Sequence, residues 1–499
     1  MWNDILALLQ QELVLIAIIF VLLFIKVSSA EWSNETILNL VNALLLINFA
    51  AGFFMNTAGT LFSGMFHTHP LTVLEKNILN GGTLLISLQA WSWLKGHKHV
   101  LEFYLLLLST LLGMFFMISS GNLLLFYLGL ELSTIPLAAI ANFDLEKRQS
   151  SEAALKFILS SAFSSGLLLL GISLIYGTTG TLTFDTITAS SGAGLQALST
   201  TALPIHGAGL PTPDTITAHL DGSPLQLFAF ILFLSGFAFK ISVVPFHLWT
   251  ADVYEGSPVP VTAYLSVISK GAIFFVFVPV LYTAFRPLAD SWYRILSLLA
   301  VFTMLTGNLF ALRQNKLKRL LAFSSIAQVG FILVGITGSS RAGSASVVYF
   351  ILIYIFSNLG AFGVISLISA QTGKENIEDY KGLYTTNPLL SWVMALSLFS
   401  LAGIPPTAGF FGKFFLLMAG AGKGNYWLIG IAALNMVISL YYYLRVVKAI
   451  FMDRNEYPVE KLTIPLLPKI ALLICGAGIL VTGFAGGIYE YIYSLCGNL

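Results

Sequence analysis

The stretch Phe237-Ala-Phe-Lys-Ile-Ser-Val-Val-Pro-Phe-His-Leu-Trp-Thr-Ala-Asp-Val-Tyr-Glu-Gly-Ser-Pro-Val-Pro260, followed by Ser269-Lys270-Gly271, places charged residues and prolines inside otherwise apolar sequence. A charge at the centre of a lipid-facing helix costs at least ~2.5 kcal/mol, so such a residue normally faces a polar pathway or a partner. We therefore interpret the rest of the chain as the scaffold that keeps Lys240 and Lys270 dry, paired and connected.

The composition indicates an integral membrane protein. The chain has 499 residues, of which 57% are hydrophobic and 10% are charged, and its mean hydropathy is +0.85. Soluble domains carry about 25% charged residues. The net charge of +2 is too small to suggest a nucleic-acid surface. Two cysteines, Cys475 and Cys496, are too few to hold an iron–sulfur cluster, and we expect them to be packing residues.

The predicted fold is an all-α polytopic membrane protein. About 20 apolar residues cross the bilayer core, so a chain of this length with short loops accommodates about 14 helices. The predicted spans are Ile5–Val27, Ile37–Met55, Ile78–Leu94, Val100–Ile118, Leu123–Ala141, Ala154–Tyr176, Leu225–Trp249, Val261–Phe285, Trp292–Leu312, Leu317–Ile336, Ser344–Ala370, Leu389–Ala419, Tyr426–Met452 and Pro468–Ile488.

The distribution of Lys and Arg predicts the orientation, because cytoplasmic loops carry an excess of both residues. The loops predicted to be inside hold Lys26, Lys95, Lys98, Lys147, Arg148, Arg313, Lys316, Lys318, Arg319, Lys374, Lys381, Arg454 and Lys461. The alternate loops hold Lys76, Arg286, Arg294, Arg341 and Lys423. One alternation fits all the spans and predicts that both termini lie outside.

Two segments between spans have a distinct composition. Gly177–Pro224 is rich in Gly, Ser, Thr and Pro and falls outside by parity. We expect a small hairpin around Leu182–Ile187 and an ordered or partly disordered loop elsewhere in this segment. Asp453–Pro468 falls inside and is amphipathic enough to lie along the membrane surface.

Two spans are interrupted by proline. Pro245 has no N–H and leaves a carbonyl without its helical partner, and the pair Pro405 and Pro406 does the same to Leu401 and Ala402. Such backbone is tolerated at membrane depth only where it is buried in protein or lines a wet cavity.

Broken helices in corresponding positions of two halves indicate an internally repeated transporter architecture. Each break lies in the fourth helix of a five-helix unit. The predicted organisation is therefore N-terminal helices over residues 1–99, a first repeat over 100–285 with the outside loop 177–224, a second, inverted repeat over 292–452, and a surface segment with a final helix over 453–499.

Four ionisable residues lie within predicted spans, namely Glu131, Lys240, Lys270 and Lys413. Isolated lysines can extend to the interface, and Glu131 can form a structural pair with Lys240. Burial disfavours the charged forms of both residue types, so both can change protonation state near neutral pH. We predict a proton path in which Glu131 pairs with Lys240 and its withdrawal releases a proton toward Lys270.

Other polar residues are secondary candidates for this path. His247 can relay protons, although a capping or packing role beside Trp249 fits it better. Asp252 and Glu255 are expected at the inner surface, as solvated acids or as a funnel for proton uptake. Groups that can organise water are Ser242, Ser266, Ser269, Thr407, Tyr264 and Gln328. The histidine pairs His67-Thr-His69 and His97-Lys-His99 lack the ligand pattern of a metal site, so we expect no metal and no cofactor in this chain.

Four segments resemble one protein family. They are Leu125-Phe-Tyr-Leu-Gly-Leu-Glu-Leu-Ser-Thr-Ile-Pro136, His247-Leu-Trp-Thr-Ala-Asp-Val-Tyr-Glu-Gly-Ser-Pro-Val-Pro260 with Ser269-Lys270, Lys316-Leu-Lys-Arg-Leu-Leu-Ala-Phe-Ser-Ser-Ile-Ala-Gln-Val-Gly330, and Ala402-Gly-Ile-Pro-Pro-Thr-Ala-Gly-Phe-Phe-Gly-Lys413. In this order and spacing they resemble the antiporter-like membrane subunits of the bacterial proton-pumping NADH:quinone oxidoreductase, respiratory complex I.

The resemblance implies a fold of inverted five-helix repeats in the membrane arm of that complex, in the bacterial inner membrane. It implies proton-transfer roles for Glu131, Lys240, Lys270 and Lys413. It also implies that NADH, FMN, iron–sulfur clusters and quinone are bound by partner subunits, and that the partners are sister antiporter-like subunits and small helical subunits. In two places the chain departs from the family: Ala251 replaces a usual proline, and Gln328 replaces a common histidine.

Two other functions remain open at this stage. The same helices occur in subunits of multi-subunit cation/proton antiporters and membrane-bound hydrogenases, although the context of Glu131 and the run Asp252-Val-Tyr-Glu-Gly favour the quinone enzyme. An independent solute symporter would transport as an isolated chain and would have a substrate pocket at the helix breaks.

Overall fold

The computed structural model describes residues 2–28, 32–55, 57–187 and 224–498. Twelve helices within these residues are long and apolar enough to cross a membrane, so the protein is a multi-pass membrane protein that is mostly helical. The described α-helices are α1 Trp2–Leu8, α2 Gln10–Val27, α3 Asn34–Ala51, α4 Pro70–Leu94, α5 Val100–Ile118, α6 Leu123–Ala141, α7 Arg148–Thr179, α8 Pro224–Ile241, α9 Leu248–Gly256, α10 Val259–Tyr264, α11 Lys270–Tyr282, α12 Ala289–Leu312, α13 Leu317–Ile336, α14 Ser340–Thr372, α15 Leu383–Thr386, α16 Pro388–Ala402, α17 Ala408–Ala421, α18 Tyr426–Phe451, α19 Leu466–Phe484 and α20 Gly487–Leu495.

Most predicted spans coincide with one of these helices. A π-helical segment, Leu265–Ser269, joins α10 to α11, so that Val259–Tyr282 forms one continuous span. Two predicted spans fall outside the twelve. One corresponds to α4, which contains many buried polar residues, and the other to the short apolar helices α16 and α17.

Both predicted helix breaks are present, and both use the same stop. Helix α8 ends before Ser242 (φ 67°) and α16 ends before Gly403 (φ 84°), which are in the left-handed conformation. The next amide donates to the carbonyl five residues earlier, from Val243 over 2.8 Å and from Ile404 over 3.0 Å. This is the Schellman stop, which satisfies a carbonyl at the end of the helix.

Helix α5 approaches α6, and α12 approaches α13, closely at glycine. A Cβ atom on Gly113 of α5 would lie 2.5 Å from the backbone nitrogen of Ser133 in α6. A Cβ atom on Gly307 of α12 would lie 2.5 Å from the backbone nitrogen of Ala327 in α13. Small residues let membrane helices pack backbone to backbone, and here they hold α5 on α6 and α12 on α13.

The prediction of a hairpin around Leu182–Ile187 is wrong. Thr183 forms an isolated bridge with Asn122, and residues 184–187 are helical, because the α5–α6 connection offers the extended backbone a partner. The rest of the predicted loop, from residue 188 to residue 223, lies outside the described residues. A hairpin occurs elsewhere, between β1 Gly59–Leu61 and β2 Phe66–Thr68.

The segment between α18 and α19 has no regular secondary structure over residues 458–465. The side chain of Asn387 holds it by donating to the carbonyl of Glu460 (2.9 Å) and accepting from the amide of Leu462 (2.9 Å). Its amphipathic sequence therefore packs against the start of α16. Its position relative to the membrane surface stays a prediction.

Candidate functional site

Lys240 lies at the end of α8, beside the first helix break, and is buried. Its Nζ donates to the hydroxyl of Thr134 on α6 (2.9 Å) and to that of Ser161 on α7 (2.6 Å). The lysine therefore joins three helices through hydroxyl groups, each of which can accept or donate a hydrogen bond.

The expected ion pair between Glu131 and Lys240 is not formed. No ion pair of Glu131 occurs within 4 Å among the described residues, and its Oε1 has no hydrogen-bond partner there. Glu131 acts on Lys240 electrostatically rather than by contact. Instead of Glu131, the ammonium of Lys240 has Thr134, one turn further along α6, as its hydrogen-bond acceptor.

Lys270 is the first residue of α11, immediately after the π-helical segment, and is buried. Its Nζ donates to the hydroxyl of Ser325 on α13 (2.8 Å) and lies 5.5 Å from the centre of the Tyr254 ring on α9. A ring face attracts a cation, especially in a desolvated site. The ammonium of Lys270 therefore contacts the middle of α13, where its partner is a side-chain hydroxyl.

Lys413 lies on α17, after the second break, and its Nζ donates to the carbonyls of Leu401 (2.7 Å) and Ala402 (3.3 Å). These are the two carbonyls that the sequence predicts to be left without helical partners. The ammonium also lies 4.8 Å from the centre of the Phe331 ring. The second break is thus closed by a buried cation at the carbonyl end of α16, where the helix dipole favours positive charge.

Polar side chains connect the Lys270 region to Lys413. The Nε2 of Gln328 donates to the carbonyl of Leu401 (3.0 Å), which Lys413 also contacts, and to the hydroxyl of Tyr443 (3.1 Å). Tyr443 shares a short hydrogen bond with Ser324, the neighbour of the residue that binds Lys270. We call Lys270, Ser324, Ser325, Gln328, Tyr443, Leu401 and Lys413 the central polar axis.

Among the described residues, no continuous chain of hydrogen bonds joins Lys240 to Lys270. Helix α9 lies between them and carries Thr250, which donates to Ser242 at the first break (2.7 Å). One turn later α9 carries Tyr254, whose ring lies beside Lys270. The Lys240 cluster is therefore separate from the central polar axis in this conformation.

Other predicted candidates lie outside this axis. His247 precedes α9, is partly buried, and its Nδ1 has no hydrogen-bond partner in the described residues. Ser266 bonds to Asn358 (3.3 Å), and Tyr264 accepts from Thr110 (2.7 Å). Ser242 accepts from Thr250 (2.7 Å), Thr407 donates to the carbonyl of Ile404 (2.6 Å), and Ser269 directly precedes Lys270. Gln328 is central to the axis despite its departure from the family pattern.

Asp252 and Glu255 lie at the end of α9, in ion pairs. Arg319 contacts Asp252 (3.0 Å) and Glu255 (2.6 Å), while Lys156 binds Asp252 (2.7 Å) and Lys316 binds Glu255 (2.6 Å). Partial burial would raise the pKa of Asp252, but the hydrogen bonds from Lys156 and Arg319 hold it below its ordinary value. These acids fasten α9 to α7 and α13, a structural contribution that the sequence did not reveal.

A buried ion pair was missed by sequence reasoning. Lys76, assigned to a loop, lies in α4, where its Nζ is 2.5 Å from Glu12 of α2, and each side chain is 1% exposed. The signal was present, since Glu12 falls within the first predicted span. Ser161 and Tyr443 were also missed, because hydroxyl residues recur in their helices and the sequence does not mark which of them faces a polar partner.

A family model described as NADH:quinone oxidoreductase/Mrp antiporter, TM, matches residues 120–439. This chain belongs to that family. A protein of Phocaeicola vulgatus named NADH-quinone oxidoreductase subunit N is 47% identical over 94% of this chain and 93% of its own. A protein of the same name from Azobacteroides pseudotrichonymphae is 43% identical over 98% of this chain and 97% of its own. The family resemblance seen in the sequence is confirmed, and both of these relatives are named subunit N.

Solved structures agree with this assignment. A chain of respiratory complex I from Thermus thermophilus matches with a TM-score of 0.75 and 27% identity, covering 96% of this chain and 97% of that chain. A chain of the Mrp complex from Dietzia sp. matches with a TM-score of 0.81 and 20% identity, covering 98% and 97%. The second likeness, at this low identity, concerns the fold alone.

Proposed function

We propose that this chain is a proton-translocating membrane-arm subunit of NADH:quinone oxidoreductase. It moves protons through buried lysines while quinone reduction elsewhere in the complex drives the movement. The observation that carries this proposal is the central polar axis, in which serine, tyrosine and glutamine side chains lie between two buried lysines. Relatives named subunit N, similar over nearly the whole chain, support the assignment to this complex.

Proton transfer requires groups that exist in two protonation states and neighbours that serve both. The hydroxyls of Ser325, Ser324 and Tyr443 can donate or accept, so each can bond to an ammonium or to a neutral amine. Transfer between Lys270 and Lys413 uses these hydroxyls as far as Tyr443. The Nε2 of Gln328 only donates and therefore positions Tyr443, and we propose that water carries the proton over the remaining distance to Lys413. Moving one charge through 100 mV requires about 2.3 kcal/mol, which one partly buried ion pair can supply when it forms or breaks.

Glu131 and Lys240 form the first part of the path. Lys240 holds its proton between Thr134 and Ser161, and the charge of Glu131 favours the ammonium from a distance. We propose that loss of this charge, by protonation or displacement, releases the proton of Lys240 past α9 toward Lys270. His247, Asp252 and Glu255 are secondary candidates at the start of this route.

The architecture that accompanies this function is 14 membrane spans in two inverted five-helix repeats, residues 100–285 and 292–452. Matching glycine contacts at Gly113 and Gly307, and matching left-handed stops at Ser242 and Gly403, support it. With the lysine-rich loops inside, both termini lie on the periplasmic side of the bacterial inner membrane. Residues 1–99 add helices before the first repeat, and 453–499 add a surface segment and a final helix.

The redox chemistry belongs to partner subunits, which bind NADH, FMN, iron–sulfur clusters and quinone. The described residues contain no group of three His, Cys, Asp or Glu side chains that could hold a metal ion. The membrane partners are sister antiporter-like subunits and small helical subunits.

The test is to solubilise membranes mildly, purify the complex through a tag on this chain and assay NADH:quinone oxidoreductase activity. We expect activity in the purified complex, together with proton uptake by liposomes that contain it. Copurification with sodium/proton antiporter subunits, without NADH oxidation, would contradict the proposal and favour a cation/proton antiporter. Coupled solute transport by the isolated chain would identify a symporter instead.

A further inference from the structure

A second set of buried charges lies where α2 meets the start of α4. Glu12, Lys76 and Glu75 are 1%, 1% and 3% exposed. The Nζ of Lys76 is 2.5 Å from the Oε1 of Glu12 and lies 5.3 Å and 5.9 Å from the centres of the Phe66 and Phe115 rings. The ammonium of Lys76 is thus paired with Glu12 and lies beside two aromatic rings.

The charges in this cluster do not balance. One lysine faces two carboxylates, and in the described part of the chain Glu75 has no ion pair within 4 Å. A buried charge left without compensation costs several kcal/mol. At this buried position Glu75 therefore has to be protonated or in contact with water.

Water can reach Glu75 from one side. A cavity of about 210 Å³ is lined by Glu75, His67, His69 and Asp185, and by the last turns of α11. We call it the outer vestibule, because it lies at the end of α4 that the proposed orientation puts outside. Glu75 is the most deeply buried acid on its wall, and Asp185 is exposed at its rim.

The histidine on the vestibule wall has a defined state. The Nδ1 of His69 accepts a hydrogen bond from the amide of Thr72 (3.2 Å), so in the neutral ring Nε2 carries the proton. Burial, with His67 and Lys76 nearby, lowers the pKa of His69 to about 4. The ring is therefore neutral at pH 7, and its Nε2–H acts there as a hydrogen-bond donor rather than as a proton carrier.

The vestibule borders the helix that carries Lys270. Val276 of α11 lines the cavity and follows Lys270 by six residues (276 − 270 = 6), which is about 9 Å of helical rise. Helix α4 also packs on the π-helical segment before Lys270, since a Cβ atom on Gly82 would lie 2.3 Å from the Cδ1 of Ile268.

From this geometry we propose that Glu75 is the proton-release group of the chain on the outer side. A proton leaving the ammonium of Lys270 binds the carboxylate of Glu75, which becomes a carboxylic acid. The acid then loses the proton to water in the vestibule, and the carboxylate is restored. The pair of Lys76 and Glu12 keeps its own charges throughout. This inference rests on the proposed function, because it names an exit for the same protons.

The test compares variants in the assembled complex, purified and reconstituted into liposomes. The measured quantity is the number of protons translocated per NADH oxidised, alongside the amount of assembled complex. The variants are Glu75→Gln, which keeps the shape but cannot bind a proton, and Glu75→Asp, which keeps the carboxylate. Lys270→Met reports on the proposed function, and Glu35→Gln, an exposed acid paired with Lys95, is the matched control.

We expect Glu75→Gln to lower the proton-to-NADH ratio as far as Lys270→Met does, with Glu75→Asp and Glu35→Gln near the native ratio. A native ratio in Glu75→Gln alongside a lowered ratio in Lys270→Met would overturn the exit at Glu75 and leave the proposed function standing. A native ratio in Lys270→Met would overturn the proposed function itself. A lowered ratio in Glu75→Asp equal to that of Glu75→Gln would also overturn the inference, because it would indicate a packing role.

A labelling measurement tests the vestibule without relying on activity. Ser120 lines the cavity, so Ser120→Cys is expected to react with a membrane-impermeant thiol reagent added from the outer side. Ser87→Cys, at a fully buried position on α4, is the control and is expected to remain unlabelled. Equal protection of both cysteines would overturn the inference, because the proton would then have no route to outer water.

Discussion

The two helix breaks stop in the same way but hold their lysines differently. At the first break Lys240 precedes the stop and bonds to the side-chain hydroxyls of Thr134 and Ser161. At the second break Lys413 follows the stop and bonds to the backbone carbonyls of Leu401 and Ala402. The same interruption of a helix therefore creates two chemically different sites.

The difference indicates different tasks. Backbone carbonyls only accept hydrogen bonds, and at the end of α16 they carry the negative end of the helix dipole, so they favour the ammonium of Lys413. Hydroxyls can reverse their role and serve a neutral amine equally well. The side-chain neighbours of Lys240 thus suit both of its protonation states, whereas the carbonyls around Lys413 accept hydrogen bonds from its ammonium.

The largest effect is expected where the second break is packed most tightly. A Cβ atom on Gly409 would lie 1.7 Å from the carbonyl oxygen of Ser400, so Gly409→Ala must push α17 away from α16. We expect the folded chain to lose at least about 3 kcal/mol of stability. The amount of assembled complex, measured by native gel of solubilised membranes, is expected to fall strongly. Gly430→Ala, with no atom within 4 Å of its added Cβ, is the control, and equal assembly of both variants would contradict the packing described.

The next effect is on pumping at the first break. We expect Lys240→Ala or Glu131→Ala to abolish coupled proton transport while the complex still assembles. The double variant Thr134→Val with Ser161→Ala is expected to slow pumping severalfold, because it removes the hydroxyls that hold Lys240. Proton translocation by reconstituted complex measures both, with the exposed Lys448→Ala as control. Full pumping by the assembled Lys240 and Glu131 variants would remove the first break from the path.

A smaller effect distinguishes the two stops. Gly403→Ala puts a side chain on a left-handed residue and is expected to cost about 1 kcal/mol. Ser242→Gly relieves a similar strain but loses the hydrogen bond from Thr250, so its net effect is expected to be within about 0.5 kcal/mol. The apparent melting temperature of the purified complex measures both. Equal destabilisation by the two changes would mean that the breaks are not built alike.

The smallest effect concerns the acids on α9. Each exposed ion pair of Asp252 contributes less than about 1 kcal/mol, so Asp252→Asn is expected to lower the melting temperature only slightly. Hydrogen bonds hold the pKa of Asp252 below its ordinary value of 3.8. Its contribution is therefore complete above pH 3.8 and is lost as the pH falls through the lower folded value. The difference in melting temperature between native and Asp252→Asn complex should shrink on acidification. A difference in melting temperature that grows would contradict this sign. Glu456→Gln is the control.

The sequence predicted much of this molecule because lipid imposes strong rules. Prolines at Pro245, Pro405 and Pro406 predicted both breaks, since no other residue removes a backbone donor so reliably. Deep lysines identified the sites, because charge in an apolar span is costly. The partners could not be predicted, since Lys240 reaches Thr134 and Ser161 only through the packing of three helices.

The two wrong predictions about ion pairs have opposite physical causes. Lys76 was assigned to a loop because a lysine near a span boundary normally extends to water. In the fold its partner Glu12 comes from another helix, 64 residues away in sequence, and no local pattern records that distance. The pair of Glu131 and Lys240 was expected for the opposite reason. Both charges are visible in the sequence, but the hydroxyl of Thr134 that accepts from Lys240 has no distinctive pattern there.

The most direct test of the central polar axis is the proton-to-NADH ratio of reconstituted complex that carries Lys413→Met, compared with native complex and with Lys448→Met. The methionine keeps the apolar stem and removes only the ammonium at the end of α16. We predict a lowered ratio in assembled Lys413→Met complex and a native ratio in the control. A native ratio in the Lys413→Met complex would contradict the proposal that protons pass along this axis.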